Sequence, residues 1–448
     1  TTIIIRDENP ERKGMGAKQR IYTAGVLYYT VFKIRTDFRK GRQEDVMERN
    51  DPRYQAYVEI LKEELIPAMG CTEPIALAYA AAKAREVLGV LPDSVQLQVS
   101  GSIIKNVKSV IVPNTGHLKG MEAAVAAGII AGSAEKELEV ISEVSEEKKS
   151  AIRDYLQTVP ITIEHTEQGH VFDIVVTERC GQDYARVRIA DYHTNICRIE
   201  KNGTVLYEVP LLDETVQENA RADRSLLNMQ DIWDFAETAD LRDVADLLER
   251  QIRYNNAIAE EGLLGDYGAN IGRVLLTTYG NDVSNRAKAK AAAGSDARMN
   301  GCELPVIINS GSGNQGITCS VPLIEYAKEL HSGKEKLYRA LIISNLVAIH
   351  EKTGIGTLSA YCGAVSAGAG AGAGIVYLCG DGYQAAIHTV VNALAIVSGI
   401  VCDGAKASCA AKIASSVDAA LLGYNMYKCN QEFKGGDGIV MKDIETTI

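Results

Sequence analysis

VFDIVVTERCGQDYARVRIADYHTNICRIEKNGTVLYEVP, residues 171–210, decides the fold class. Within it VFDIVVTE (171–178), ARVRIAD (185–191) and TVLYEVP (204–210) alternate or run apolar with β-branched residues, as strands do when one face is buried. Working upstream, VQLQVSG (95–101), VKSVIVP (107–113), LEVISEV (138–144) and ITIEHT (161–166) carry the same signature. Two helices are expected to interrupt them, Met121–Ala131 and Glu146–Gln157. Residues 93–212 are therefore predicted to form an α+β unit with a mostly antiparallel sheet.

On both sides of this unit the strand signal fades. Downstream, helices are expected over 214–229, 230–238, 240–261, 268–280, 284–298, 321–331, 335–352, 384–398 and 404–424. Upstream, an amphipathic helix is expected from about Asp51 to Glu64, and an Ala-rich one from Pro74 to Leu88, stopped by Gly89 and Pro92. The fold class is thus α+β. The simplest architecture is a mainly helical catalytic domain, 47–92 plus 213–448, with residues 93–212 inserted into it. Residues 1–46 are basic and aperiodic, and Met47 opens what reads as a natural start, so 1–46 are expected to be a poorly ordered extension.

Composition narrows the function. A chain of 448 residues can build a large core without disulfide staples. A formal charge of −11 argues against nucleic acid, whose phosphates demand a basic surface, and favours a small-molecule substrate. The stretch closest to a membrane span, Gly363–Cys379, is mostly Gly and Ala and too weakly hydrophobic for a bilayer, so no membrane insertion is expected. Ten cysteines without a secretory signal fit a reducing, cytoplasmic setting in which some thiols serve as metal ligands or catalysts. Cys180, Cys197, Cys302, Cys319, Cys379 and Cys429 read as packing residues, since free cysteine behaves as a small hydrophobe.

Three Gly-rich or Cys-bearing features lie between expected helices, where backbone amides and side chains can converge on a ligand. In PAMGCTEP (67–74), Pro74 suits the first turn of a helix, which puts Cys71 at a helix N-terminus. A thiol there can have a lowered pKa and act as base or nucleophile; it can equally be a capping turn whose cysteine packs. INSGSGNQGI (308–317) permits close backbone approach to an anion, with Ser310, Ser312, Asn314 and Gln315 as hydrogen-bonding groups. It lacks the Lys-Ser/Thr ending of a nucleotide loop, so an amino-acid carboxylate fits it better than a nucleotide; the other reading is a structural turn between helices, whose glycines serve only geometry. The third feature pairs YCGAVSAGAGAGAG (361–374) with VCDGAKASC (401–409), in which Asp403-Gly404 reads as the start of the helix carrying Cys409. Cys402 and Cys409 are either metal ligands or buried packing cysteines, and Cys362 joins them only if the chain returns to the same place. His117, Lys119, His350 and Lys352 are lone candidates that read as ordinary surface or core residues.

GCTEP, NSGSGNQG, YCG and CDGAKASC, in this order across Met47 to about Tyr427, resemble the family that groups L-cysteine desulfidases with the alpha chain of iron-sulfur L-serine dehydratases. The resemblance implies a [4Fe-4S] cluster on Cys362, Cys402 and Cys409 with one iron left open, and no pyridoxal phosphate. It implies Cys71 as base or transient fourth ligand, with Thr72, Glu73, Ser310, Gly311, Ser312, Gly313, Asn314 and Gln315 holding the substrate. The reaction it implies is β-elimination from L-cysteine to pyruvate, ammonia and hydrogen sulfide. The alternatives are an L-serine dehydratase sharing the cluster, and a non-catalytic cluster-binding or sulfur-sensing protein. Assembly into a homo-oligomer is left open.

Overall fold

The sheet expected around residues 171–210 is present, with six strands in the order β3-β2-β4-β5-β6-β7. A computed structural model describes residues 47–166, 170–211, 221–356 and 358–448; the expected extension 1–46 lies outside them. The strands are β2 (Ser94–Val99), β3 (Ile161–His165), β4 (Asp173–Cys180), β5 (Asp183–Ala190), β6 (Ile196–Lys201) and β7 (Thr204–Glu208). Only β2 and β3 run parallel, with Leu97 opposite Ile163; the other pairs are antiparallel, as in Leu97 opposite Val176 and Val187 opposite Ile199. Val95, Leu97 and Val99 on β2, and Ala185, Val187 and Ile189 on β5, point into the core, which is the alternation that the sequence carries. The resulting fold is α+β.

Two expected strands are not strands. VKSVIVP begins at the end of a helix, α3 (Gly101–Val107), and its only pairing is a bridge from Ile111 to Lys119. LEVISEV begins within a 3₁₀ segment, Ala134–Glu139, and forms no strand beyond it. In both, Val110, Val112, Leu138, Val140 and Ile141 are buried one by one as plugs, which produces an apolar pattern without a ladder. Conversely, ICRIEK (196–201) lies between two expected strands and pairs with both β5 and β7.

Helix α1 (Pro52–Glu64) starts on an Asp51 cap that accepts from the Arg53 amide. It joins the helical half through an edge-to-face contact of Tyr54 with Phe235, 5.1 Å between ring centroids. Helix α2 (Thr72–Leu88) lies instead on β4 and β5 and against α4 (Gly120–Ala131), which is followed by α5 (Glu146–Thr158). The remaining helices are α6 (Met229–Thr238), α7 (Ala245–Leu264), α8 (Ile271–Tyr279), α9 (Val283–Met299), α10 (Gly313–Glu329), α11 (Lys334–Ile355), α12 (Gly363–Cys379), α13 (Tyr383–Val397), α14 (Ser408–Lys428) and α15 (Ile444–Thr447). Of the expected helix 214–229, residues 214–220 lie outside the described residues, and 224–226 form a 3₁₀ turn.

The Gly/Ala run is itself a helix, α12, and its composition reflects close packing. A Cβ on Gly370 would lie 2.4 Å from the Ser344 carbonyl oxygen on α11, and one on Gly368 2.7 Å from Ser416 Cβ on α14. Glycine costs about 1 kcal/mol of helix propensity per position, and the near approach of two neighbouring helix backbones offsets it. One hydrophobic cluster includes Leu97 and Ile174 of the sheet together with Leu341 and Ile413 of the helices. Among the described residues no helix is long and apolar enough to cross a membrane.

Candidate active site

A two-stranded antiparallel ribbon, β1 (Pro67–Met69) with β8 (Pro305–Ile307), ties GCTEP to the Gly-rich loop. Beyond β8 the chain folds back at once. Asn309 and Ser312 exchange two backbone hydrogen bonds, 3.0 and 3.1 Å, around Ser310 (φ 48°) and Gly311 (φ 74°). Two successive residues with positive φ define a tight hairpin turn, which glycine enters without strain. Ser312 then caps α10, so Gly313, Asn314 and Gln315 form its first turn and are helical rather than loop. Thr72 Oγ1 donates to the Gly311 carbonyl at 2.9 Å, fastening the two motifs.

Cys71 is the N-cap of α2 and is 2% exposed. Its thiol donates to Glu73 Oε2 at 3.0 Å, while Asn106 Nδ2 of α3 donates to Glu73 Oε1 at 2.8 Å. Of the two readings of this cysteine, a lowered thiol pKa is not the one the surroundings favour. Burial pushes Cys71 well above the usual thiol range and the Glu73 charge adds to it, with Arg298 opposing. Glu73 behaves in the opposite way. Burial alone would raise it, but His193, the Cys71 thiol and Arg298 together hold it below the usual carboxylate range. The resting pair is therefore a neutral thiol that donates a hydrogen bond to an ionised carboxylate.

Cys362 and Cys402 meet through a short backbone ladder. Cys362 N–H donates to the Ile400 carbonyl at 3.1 Å and Cys402 N–H to that of Ala360 at 2.7 Å, with Tyr361 and Val401 bridged between them. Cys362 is the N-cap of α12. Asp403 and Gly404 do not start the next helix, because α14 begins at Ser408; Cys409 thus sits in its first turn, with Sγ 3.7 Å from the Gly404 carbonyl. Burial raises the Cys362 and Cys409 thiols; Cys402 pushes both up further, and Cys362 adds to the rise of Cys409. Lys352, which burial pulls below the usual range, lies in the field of Cys362 and Cys402, and Lys412 donates to the Val401 carbonyl at 3.0 Å.

Among the described residues no three of His, Cys, Asp and Glu close on a single metal ion. A polynuclear cluster is a different case, since its ligand thiolates are spread around a body several atoms wide. The two lysines and two helix N-termini beside the three thiols favour bound negative charge, and that donor set fits an iron-sulfur cluster.

The structure brings the motifs together through contacts that none of them announces alone. A Cβ on Gly363 would lie 2.5 Å from Gln315 Cδ, so the Gln315 amide lies against the residue after Cys362. A Cβ on Gly404 (φ 100°) would lie 2.4 Å from the Lys105 carbonyl oxygen, which places the CDG turn on α3 one residue from Asn106, the partner of Glu73. Lys105 Nζ reaches the Cys402 carbonyl at 3.5 Å. Ser310 is turned aside, its Oγ donating to Asn309 Oδ1 at 2.9 Å.

Sequence reasoning passed over His193, Asn106 and Arg298, and took Lys352 for an ordinary residue. His193 packs edge-on to Phe172, 4.7 Å between centroids, and a Cβ on Gly311 would lie 3.1 Å from its Cε1. Its Nε2 is buried without a partner, and burial lowers its pKa. Nothing in a short loop between strands marks such a histidine; only the fold delivers it.

Comparison with known proteins gives the family. The serine dehydratase alpha chain family matches residues 135–448. The chain is 62% identical to a UPF0597 protein of Desulfitobacterium hafniense over 402 residues, 90% of this chain and 93% of the relative. It is 53% identical to a UPF0597 protein of Lachnoclostridium phytofermentans, covering 88% of this chain and 94% of the relative. A Treponema denticola relative of the same name is 47% identical over 90% of this chain and 94% of its own. With its helical half carrying the Gly-rich loop and all three clustered cysteines inside the matched region, the chain belongs to the serine dehydratase alpha chain family.

Proposed function

We propose that the protein is an iron-sulfur-dependent lyase that eliminates the β-substituent of a small L-amino acid, L-cysteine in first place and L-serine in second. The observation that carries the proposal is the buried Cys71–Glu73 thiol–carboxylate pair, tied through Asn106 and α3 to the turn bearing Cys402. Cys362, Cys402 and Cys409 are the residues that would hold a [4Fe-4S] cluster, and when bound the cluster supplies a Lewis-acidic iron for the substrate.

The chain's own residues account for the proton movements. Glu73 takes the Cys71 proton, and the thiolate so formed removes the α-proton of the substrate. The Cα–H electrons form the Cα=Cβ bond as the Cβ–S or Cβ–O bond breaks, and the proton held on Glu73 passes to the departing sulfide or hydroxide. Cys71 ends protonated and Glu73 ionised, as they began. The aminoacrylate released takes up water and yields pyruvate and ammonia. Burial of Cys71 and Glu73 excludes water from the step and keeps the thiolate from forming before substrate arrives.

The test is anaerobic reconstitution with iron and sulfide, followed by assay of L-cysteine and L-serine for pyruvate. Pyruvate from either supports a lyase, and the larger kcat/KM identifies the leaving group. Pyruvate from neither, in protein that holds its cluster, would favour a sensing role.

A further inference from the structure

Arg298, at the C-terminal end of α9, is 3% exposed, and it is the only Lys or Arg among the described residues buried to that degree. Its guanidinium has one neutral partner, Nη1 donating to Asn314 Oδ1 at 3.1 Å; Nε is buried with no partner, and no carboxylate pairs with it among the described residues. Five donors on a buried cation with a single neutral acceptor are costly unless an anion completes the set. Glu73 lies within its field but is already engaged by Cys71 and Asn106.

The guanidinium is closely flanked. A Cβ on Gly313 would lie 2.2 Å from Arg298 Nε, so the side chain crosses the first residue of α10 where only glycine leaves room. At Gly311 of the same turn lies His193, whose Cε1 would be 3.1 Å from a Cβ there and whose Nε2 is buried and unpartnered among the described residues, and Gln315 two residues beyond Gly313 has a buried, unpartnered Oε1. Three polar side chains around this turn thus each carry a buried atom without a partner among the described residues: a guanidinium, an imidazole and an amide.

We infer that Arg298 is the receptor for the substrate α-carboxylate, with His193 and the Gln315 carbonyl completing a pocket for a zwitterionic α-amino acid. The inference rests on the lyase reading for the identity of the substrate, and assigns the anion to a side chain outside the motifs. The planar fork of arginine matches a carboxylate in two parallel hydrogen bonds, which lysine cannot reproduce. The neutral Gln315 oxygen accepts from the ammonium group. Because Gln315 lies against Gly363, an amino acid anchored at Arg298 extends along this turn toward Cys362.

The experiment is isothermal titration of the anaerobically reconstituted full-length protein with L-alanine, which has no leaving group, and with L-alaninamide, which lacks the negative charge. The wild type is expected to bind L-alanine and to discriminate against the amide. Arg298→Gln should bind L-alanine about 10- to 100-fold more weakly and lose the discrimination, and Arg298→Lys should fall between. Should Arg298→Gln not fold, Arg298→Lys and Gly313→Ala, which forces Nε aside, carry the same comparison. Wild-type affinity in folded Arg298 variants, equal binding of acid and amide, or no saturable L-alanine binding by the wild type would each overturn the receptor. Pyruvate assays on the same samples separate the two claims. Arg298-dependent binding without turnover of L-cysteine or L-serine would overturn the lyase and leave the receptor, and turnover with Arg298-independent binding would do the reverse.

Discussion

The thiol of Cys71 and the carboxylate of Glu73 meet at 3.0 Å inside the protein, two residues apart at the start of one helix. Burial and charge push the two apart in acidity, keeping the proton on sulfur and the charge on oxygen until substrate displaces the balance.

Glu73→Gln keeps the shape but cannot accept the proton. We expect the brown cluster absorbance to persist and pyruvate formation to fall by about 10²- to 10⁴-fold, the range for loss of a positioned acid–base group. Turnover close to wild type would remove Glu73 from the proton path.

Gly404→Ala should loosen the junction between the CDG turn and α3. The backbone there has φ 100°, and the new Cβ would lie 2.4 Å from the Lys105 carbonyl oxygen. Strain of about 1–3 kcal/mol is expected in denaturant unfolding, together with a lower iron content after reconstitution. Unchanged stability and iron content would mean that this contact does not set the position of Cys402.

Glu178 of β4 is buried with both oxygens unpartnered, and burial raises its pKa well above 4.5 against the pull of Arg85. The folded protein keeps a proton that the unfolded chain releases near pH 4.5, so stability should decline as pH rises above that point, by up to about 1.4 kcal/mol per unit. Glu178→Gln should flatten the fall in Tm between about pH 5 and pH 8. An identical slope in both proteins would show that Glu178 is ionised and paired in the folded state.

Much of this was legible in the sequence where the information is local. Alternating apolar and polar residues mark β2 and β5 because burial on one face leaves a period-two imprint, whereas β4, buried on both faces over residues 173–178, is marked by its apolar β-branched run. GCTEP and NSGSGNQG stand out because a helix cap and a positive-φ turn constrain residue type at fixed offsets. VKSVIVP and LEVISEV were misleading for a physical reason: isolated apolar plugs imitate a strand when no partner strand is considered. Helix α12 was hidden because its glycines answer to the backbones of α11 and α14 rather than to helix propensity. Arg298 was hidden because an arginine ending an Ala-rich helix looks solvated, and only the approach of Gly313 and Asn314 shows it enclosed.

The measurement that tests the account most directly is pyruvate formation and brown absorbance on the same samples of wild type, Cys71→Ser and Cys402→Ser, each reconstituted anaerobically and supplied with L-cysteine and L-serine. The account predicts absorbance with turnover in the wild type, absorbance with little turnover in Cys71→Ser, and neither in Cys402→Ser. Full turnover in Cys71→Ser, or an intact cluster in Cys402→Ser, would contradict it.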